Sequence, residues 1–255
     1  MTTAKAVIAI ALGCGATGGF LSWRYLTFHN LTLSQVVEVL DRSESVTELD
    51  RGAQAMLRRS LELSGMRKGS SVTVLATGDA TTANEPVLMV RYEVPVSRQA
   101  LERKAAALAC KEEIIGDLAA RLKNLRRTRV SPIFIAVKRG VEQLRARGCT
   151  PDTPCYLFVK TDGEELADPG IREALRGRAS KGKLPALIHN EGIKVIFCGI
   201  SETAGEVGEG GIKQSYTQIR EAGLDRVRDV WMRLFASPEA VSFEPFCDGV
   251  EIAKK

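Results

Sequence analysis

Several residue types and motifs that would announce a function are scarce or missing in this chain. Histidine occurs twice, at His29 and His189, too far apart for the paired-histidine helix of a zinc hydrolase. Aromatic residues make up 5% of 255 positions, so a core must be built from Val, Leu, Ile and Ala. Six cysteines are too few to build a disulfide scaffold of this length. No GxGxxG follows a strand, and neither GxxxxGK[ST] nor a GxSxG elbow occurs, which removes the usual dinucleotide, phosphate-loop and serine-hydrolase sites. Neither sign of charge dominates. Lys and Arg number 36 against 31 Asp and Glu, a balance of +5 that suits solubility rather than nucleic acid. The basic run Arg121 to Arg129 has no interleaved aromatics and reads as the solvated end of a helix. With 44% hydrophobic and 26% charged residues the chain is neither disordered nor polytopic, and it shows no internal repeat.

One long apolar run stands at the N-terminus. Ala6 to Trp23 carries no charge and is bracketed by Lys5 and Arg24. As a helix it spans roughly 27 Å, about the thickness of a bilayer core. Trp23 and Tyr25 fall where aromatics favour the membrane interface. Residues 1–30 are therefore read as a membrane anchor, with the membrane contact through residues 6–23. A cleaved signal peptide and a buried core helix are the competing readings. Gly13, Gly15, Gly18 and Gly19 dilute the hydrophobicity, and Ala11 to Cys14 weakly matches a lipoprotein cleavage box.

Residues 31–69 read as amphipathic helical. Leu33, Val36, Val37 and Leu40 mark a first helix; Val46, Leu49, Ala53, Met56, Leu57 and Leu61 mark a second, with Arg51, Arg58 and Arg59 off its stripe. From residue 70 to 255 strands and helices alternate. Ser71 to Ala76, Tyr156 to Lys160 and Lys194 to Ile200 are apolar runs of buried-strand type. Pro86 to Val96 is a strand whose Pro95 puts its end at an edge. Helices are expected from Ser97 to about Arg126, from Ser131 with Pro132 in its first turn, near Ile171 to Arg178, and from Leu224 to Phe235. Glu202 to Gly211 reads as a loop, and Val241 to Phe246 as a short last strand. This alternation predicts an α/β fold, a mostly parallel Rossmann-like sheet with helices on both faces.

Cys149 and Cys155 flank a proline-stiffened loop that turns back on itself, a spacing suited to a short-range disulfide outside the cytoplasm. Cys110 and Cys198 sit in apolar runs and read as buried core residues; Cys247 has no evident partner.

In open α/β sheets, functional groups collect beyond the carboxyl ends of the strands. That places Asp79, Thr81 and Thr82 after the first of these strands, Ser131 at a helix start, and Thr161 and Asp162 after YLFVK. An oxygen-only set of this kind suits Mg²⁺ or another hard divalent cation. Here the chain resembles a von Willebrand factor type A domain over about Ser70 to Phe235. That family carries Asp-x-Ser-x-Ser after its first strand, a Thr opening a helix five residues before a buried Ala, and Asp-Gly ending a later strand. Asp79-Ala-Thr81-Thr82-Ala83, Ser131 before Ala136, and Asp162-Gly163 take these places. Three departures go with this alignment: Ala83 replaces the second serine, a strand intervenes before the first long helix, and the family's strand pair after that helix has no room. The resemblance implies a metal site of Asp79, Thr81, Ser131 and Asp162, and a protein partner that gives the metal a carboxylate. The function expected is a membrane-tethered, non-enzymatic interaction module, its domain outside the cytoplasm. The alternative is a metal-dependent phosphoryl hydrolase with Asp79 as nucleophile.

Overall fold

In the computed structural model the described residues are 34–46, 49–64, 70–93, 113–149, 153–177, 184–200, 223–244 and 247. The expected N-terminal anchor at 6–23 and the loop at 202–211 lie outside them. Cys110, Pro95 and the start of the helix expected from Ser97 also fall there. Among the described residues no helix is long and apolar enough to cross a membrane.

The elements run β1 (Gln35–Leu40), α1 (Leu49–Ser64), β2 (Ser71–Ala76), β3 (Val87–Glu93), α2 (113–123), α3 (Ile133–Ala146), β4 (Cys155–Lys160), α4 (Pro169–Leu175), β5 (Ile193–Cys198), α5 (Leu224–Met232) and β6 (Val241–Glu244). The six strands form one sheet in the order β3-β2-β1-β4-β5-β6. All neighbours are parallel except β2 and β3, which are antiparallel with a register shift between Val74 and Leu75. The α/β expectation, a mostly parallel sheet covered on both faces, holds for this region.

One element is corrected outright. Residues 33–40 were expected as a helix; Gln35–Leu40 is instead the middle strand of the sheet, wholly buried. The positions 33, 36, 37 and 40 fit a helix spacing, but Val36, Val37 and Val39 are β-branched and every residue between is also buried. A strand covered on both faces has no polar side to reveal its period of two. The sheet thus takes in residues that the sequence reading set apart at 31–69.

β1 divides the core. Val37 and Val39 face a layer of α3, α4 and α5, with Ile133, Val137, Leu144, Ile171, Val227 and Trp231. Val36 and Leu40 face α1 and α2, with Ala53, Met56, Leu57, Leu118 and Leu122. α1 matches its expected stripe except at Arg59, which is buried, stacks 4.7 Å over the Phe158 ring and pairs with Glu244 at 2.7 Å. α3 comes close to the sheet at Gly140, where an added Cβ would lie 2.7 Å from Leu157 Cδ1 and 3.3 Å from Val37 Cγ1.

The Cys149–Cys155 disulfide forms as expected, closing the loop between α3 and β4. Cys198 is buried in the core, as expected. It is bonded to Cys247, tying the end of β5 to the C-terminal segment across 49 residues.

Candidate functional site

The register of the parallel strands sets where the chemistry gathers. Leu40 pairs with Ala76 on one side and Lys160 on the other. The next residues, Asp41, Thr77 and Thr161, therefore stand level at one edge, held by Asp41 N donating to the Lys160 carbonyl at 2.9 Å and Thr77 N to the Leu40 carbonyl at 2.9 Å.

Asp41 is the centre of this edge and is fully buried. Its Oδ1 accepts from the Ser43 amide at 2.9 Å and from the Ser131 hydroxyl; its Oδ2 accepts from the Thr161 hydroxyl at 2.8 Å. Ser43 Oγ lies 3.0 Å from Ser45 Oγ, and the Ser45 hydroxyl bonds to Asp162. Ser131 Oγ also lies 3.2 Å from the Thr77 hydroxyl. Two carboxylates and the hydroxyls of Ser43, Ser45 and Ser131 thus meet in one buried place.

Burial raises the Asp41 carboxyl above the ordinary aspartate value, against the pull of its hydrogen bonds. Burial, then the charge of Asp41, pushes Asp162 up to about 7. The hydrogen-bond partners of Asp41 are all neutral, so nothing among them balances a second negative charge. A hard divalent cation would balance it, with waters completing its shell. Among the described residues no three His, Cys, Asp or Glu side chains gather as a metal-binding group. The donor set here is two carboxylates and hydroxyls, which fits Mg²⁺ or Mn²⁺ and not a thiophilic ion.

Of the four residues expected to meet, the structure brings Ser131 and Asp162 together, and it does so around Asp41. Asp79 and Thr81 belong to a neighbouring turn. Asp79 caps the short 3₁₀ helix Ala80–Thr82: its Oδ1 accepts from Thr81 N at 2.8 Å, Thr81 Oγ1 at 2.5 Å and Thr82 N at 3.2 Å. Its Oδ2 pairs with Arg42 Nη2 at 2.9 Å. The Thr81 hydroxyl, the main-chain amides and Arg42 hold the Asp79 carboxyl below its ordinary value. A carboxylate so engaged is a poor nucleophile, so nothing here favours the hydrolase alternative.

The residues that sequence reasoning missed were in plain view. Asp41-Arg42-Ser43-Glu44-Ser45 reads Asp-x-Ser-x-Ser without substitution, directly after a strand. A helix over 33–40 hides this motif, since it places no strand before Asp41. With β1 first, the three departures resolve: both serines are present, the strand pair β2–β3 has its place, and α1 follows the first loop directly.

Ser131 stands at the start of α3, as expected, but does not cap it. Pro132 occupies the N-cap position with no side-chain cap, and Ser131 spends its hydroxyl on Asp41. The cap comes from Glu165, whose Oε2 accepts from Phe134 N at 2.7 Å while Oε1 accepts from the Ala167 and Asp168 amides at 2.7 and 3.0 Å. This buried carboxylate joins the Ser131 loop to the Asp162 loop. The latter is pinned again by Trp231 Nε1 donating to the Gly163 carbonyl at 3.0 Å. Gly163 has φ +86°, and a Cβ there would meet Val227 Cγ1 at 2.7 Å, so only glycine fits this turn.

No family model matches the chain, and no curated protein is similar to it in sequence. Solved structures of similar fold exist at low identity. The pilus adhesin SpaC of Lactobacillus rhamnosus GG is 14% identical with a TM-score of 0.47, over 87% of this chain and 29% of that one. Proximal thread matrix protein 1 of the mussel byssus is 15% identical with a TM-score of 0.43, over 86% and 45%. The manganese-loaded TRAP protein of Plasmodium vivax is 12% identical with a TM-score of 0.40, over 88% and 72%. The chain spans less than half the length of the first two. These structural neighbours are von Willebrand factor A-domain proteins.

Proposed function

We propose that this chain is a non-enzymatic, cation-dependent protein-interaction domain, presented outside the cytoplasm and tethered through residues 6–23. Asp41, Ser43, Ser45, Ser131 and Asp162 would hold a divalent cation at the carboxyl edge of the sheet. One observation carries this reading: two buried carboxylates gather with three hydroxyls, and the partners bonded to Asp41 are neutral. A cation held there would offer its Lewis acidity to a carboxylate of a protein partner. The carboxylates and hydroxyls of this chain would orient the ion, with waters completing its shell. Asp79 and Thr81 serve beside the site, Asp79 through its hold on Arg42. The two disulfides support an oxidising compartment.

Melting of the purified protein with and without millimolar Mg²⁺, Mn²⁺ or Ca²⁺ tests the reading. A cation that binds only the folded state raises the melting temperature. Asp41→Ala is expected to abolish that shift, whereas Asp79→Ala is expected to retain it with a lower baseline stability. No shift with any of the three ions would remove the cation from the proposal, and an unchanged shift in Asp41→Ala would move it elsewhere.

A further inference from the structure

The loop that carries Asp41, Ser43 and Ser45 is gripped by one arginine from another part of the chain. Arg127 lies half-buried in the segment after α2. Its Nε donates to the carbonyls of Arg42 and Ser43, both at 3.1 Å, and its Nη2 donates to the carbonyls of Ser43 and Val46, both at 2.5 Å. Thr128 adds main-chain bonds on the same side: its amide donates to the Arg42 carbonyl at 3.1 Å, and its carbonyl accepts from Glu44 N at 2.9 Å. The loop grips back, since Arg42 Nη1 donates to the Arg126 carbonyl at 3.4 Å.

The consequence follows from peptide geometry. In a trans peptide the C=O and the next N–H point in opposite directions. Holding the Arg42 carbonyl toward Arg127 and Thr128 turns the Ser43 amide the other way, onto Asp41 Oδ1, where it is found at 2.9 Å. The planar guanidinium reaches three carbonyls of one loop at once, which a lysine ammonium on a single stem does not reproduce.

We propose that Arg127 is the positioning residue of the cation site: it sets the backbone of residues 42–46 so that Asp41, Ser43 and Ser45 present their oxygens together. This rests on the cation reading above, and it assigns the arginine no contact with the ion. Groups that orient metal ligands without touching the metal commonly change affinity about 10- to 100-fold when removed.

The test is calorimetric titration of Mg²⁺ into the full chain, with Arg127→Gln, Arg127→Lys and Arg139→Gln compared, alongside hydrogen exchange of the segment 42–46. Arg139 pairs with Glu85 and Glu142 on an exposed face, so its variant reports stability loss alone. Arg127→Gln is expected to weaken Mg²⁺ binding about tenfold or more and to speed exchange in 42–46. Arg127→Lys should fall nearer to Gln than to wild type, and Arg139→Gln should bind as wild type does. Should Arg127→Gln fail to fold, Arg127→Lys carries the comparison. Wild-type affinity and exchange in the Arg127 variants would overturn the proposal. A wild-type chain that binds no Mg²⁺ would sink the cation reading, and exchange in 42–46 would then decide the clamp by itself: unchanged protection overturns it.

Discussion

Asp41 and Asp79 each stand just beyond a buried parallel strand, and their surroundings give them opposite chemistry. Asp41 is enclosed with a second carboxylate and accepts from neutral donors, and burial raises its carboxyl above the ordinary value. Asp79 is balanced by Arg42 and spends its remaining capacity on a helical turn. Glu38 is a third case. It lies on β1 toward α1, fully buried, and neither carboxyl oxygen has a hydrogen-bond partner. Burial pushes it from 4.5 up to about 8. A carboxyl whose folded value is raised favours the native state below its unfolded value, and that contribution is lost as pH climbs through the folded value. Stability is therefore expected to fall between pH 4.5 and about 8 on account of Glu38. Glu38→Gln should flatten that decline and melt several degrees higher than wild type at the alkaline end. Melting curves of both proteins across this range decide it; parallel profiles would mean that Glu38 stays neutral or finds a partner.

Among the elements, β1 and α3 place the site. β1 delivers the Asp41 loop to the edge, and α3 delivers Ser131 from its N-terminal approach while resting on β1 and β4 through Gly140. Gly140→Ala pits two effects against each other. Alanine gains about 1 kcal/mol of helix propensity over glycine. The new methyl, however, enters a site already filled by the buried side chains of Leu157 and Val37, and overpacking of this kind costs about 1–3 kcal/mol. Both neighbours are fully buried, so the clash is expected to win and the variant to be less stable in urea unfolding. A more stable variant would show that α3 has room to shift. β1 was also the element least legible from its residues: LSQVVEVL offers helical spacing and β-branched content at once. Only the alternation of its side chains between two helical layers tells them apart.

At the scale of the whole molecule, the sheet is closed at its β5–β6 side by the Cys198–Cys247 bond and along its α3–β4 side by Cys149–Cys155. The two disulfides fit a domain that faces an oxidising space, and the tether proposed above is the apolar run 6–23. Alkaline carbonate extraction of membranes from cells making the full chain is expected to leave it in the pellet. Recovery of intact, full-length protein in the supernatant would defeat the tether.

What the residues determined by themselves was the class of fold and most of its pieces. Apolar runs of six residues alternating with amphipathic stretches leave few options besides a covered parallel sheet, and a six-residue Cys–Cys spacing around prolines closes on itself. Local signals of this kind need no knowledge of neighbours. The candidate site was half legible: Ser131 and Asp162, which meet around Asp41, each sit at an element boundary of evident type. Asp41, Ser43 and Ser45 were missed although their motif is complete, because a loop gains its role from the strand before it, and β1 is a strand only because helices cover both its faces. Long-range placement also decided the rest. Which aspartate meets Ser131, which cysteine meets Cys247, and which arginine grips the Asp41 loop are contacts between residues 49 to 90 positions apart. No local pattern encodes such pairings, since they exist only once strand order and register have brought the edges together.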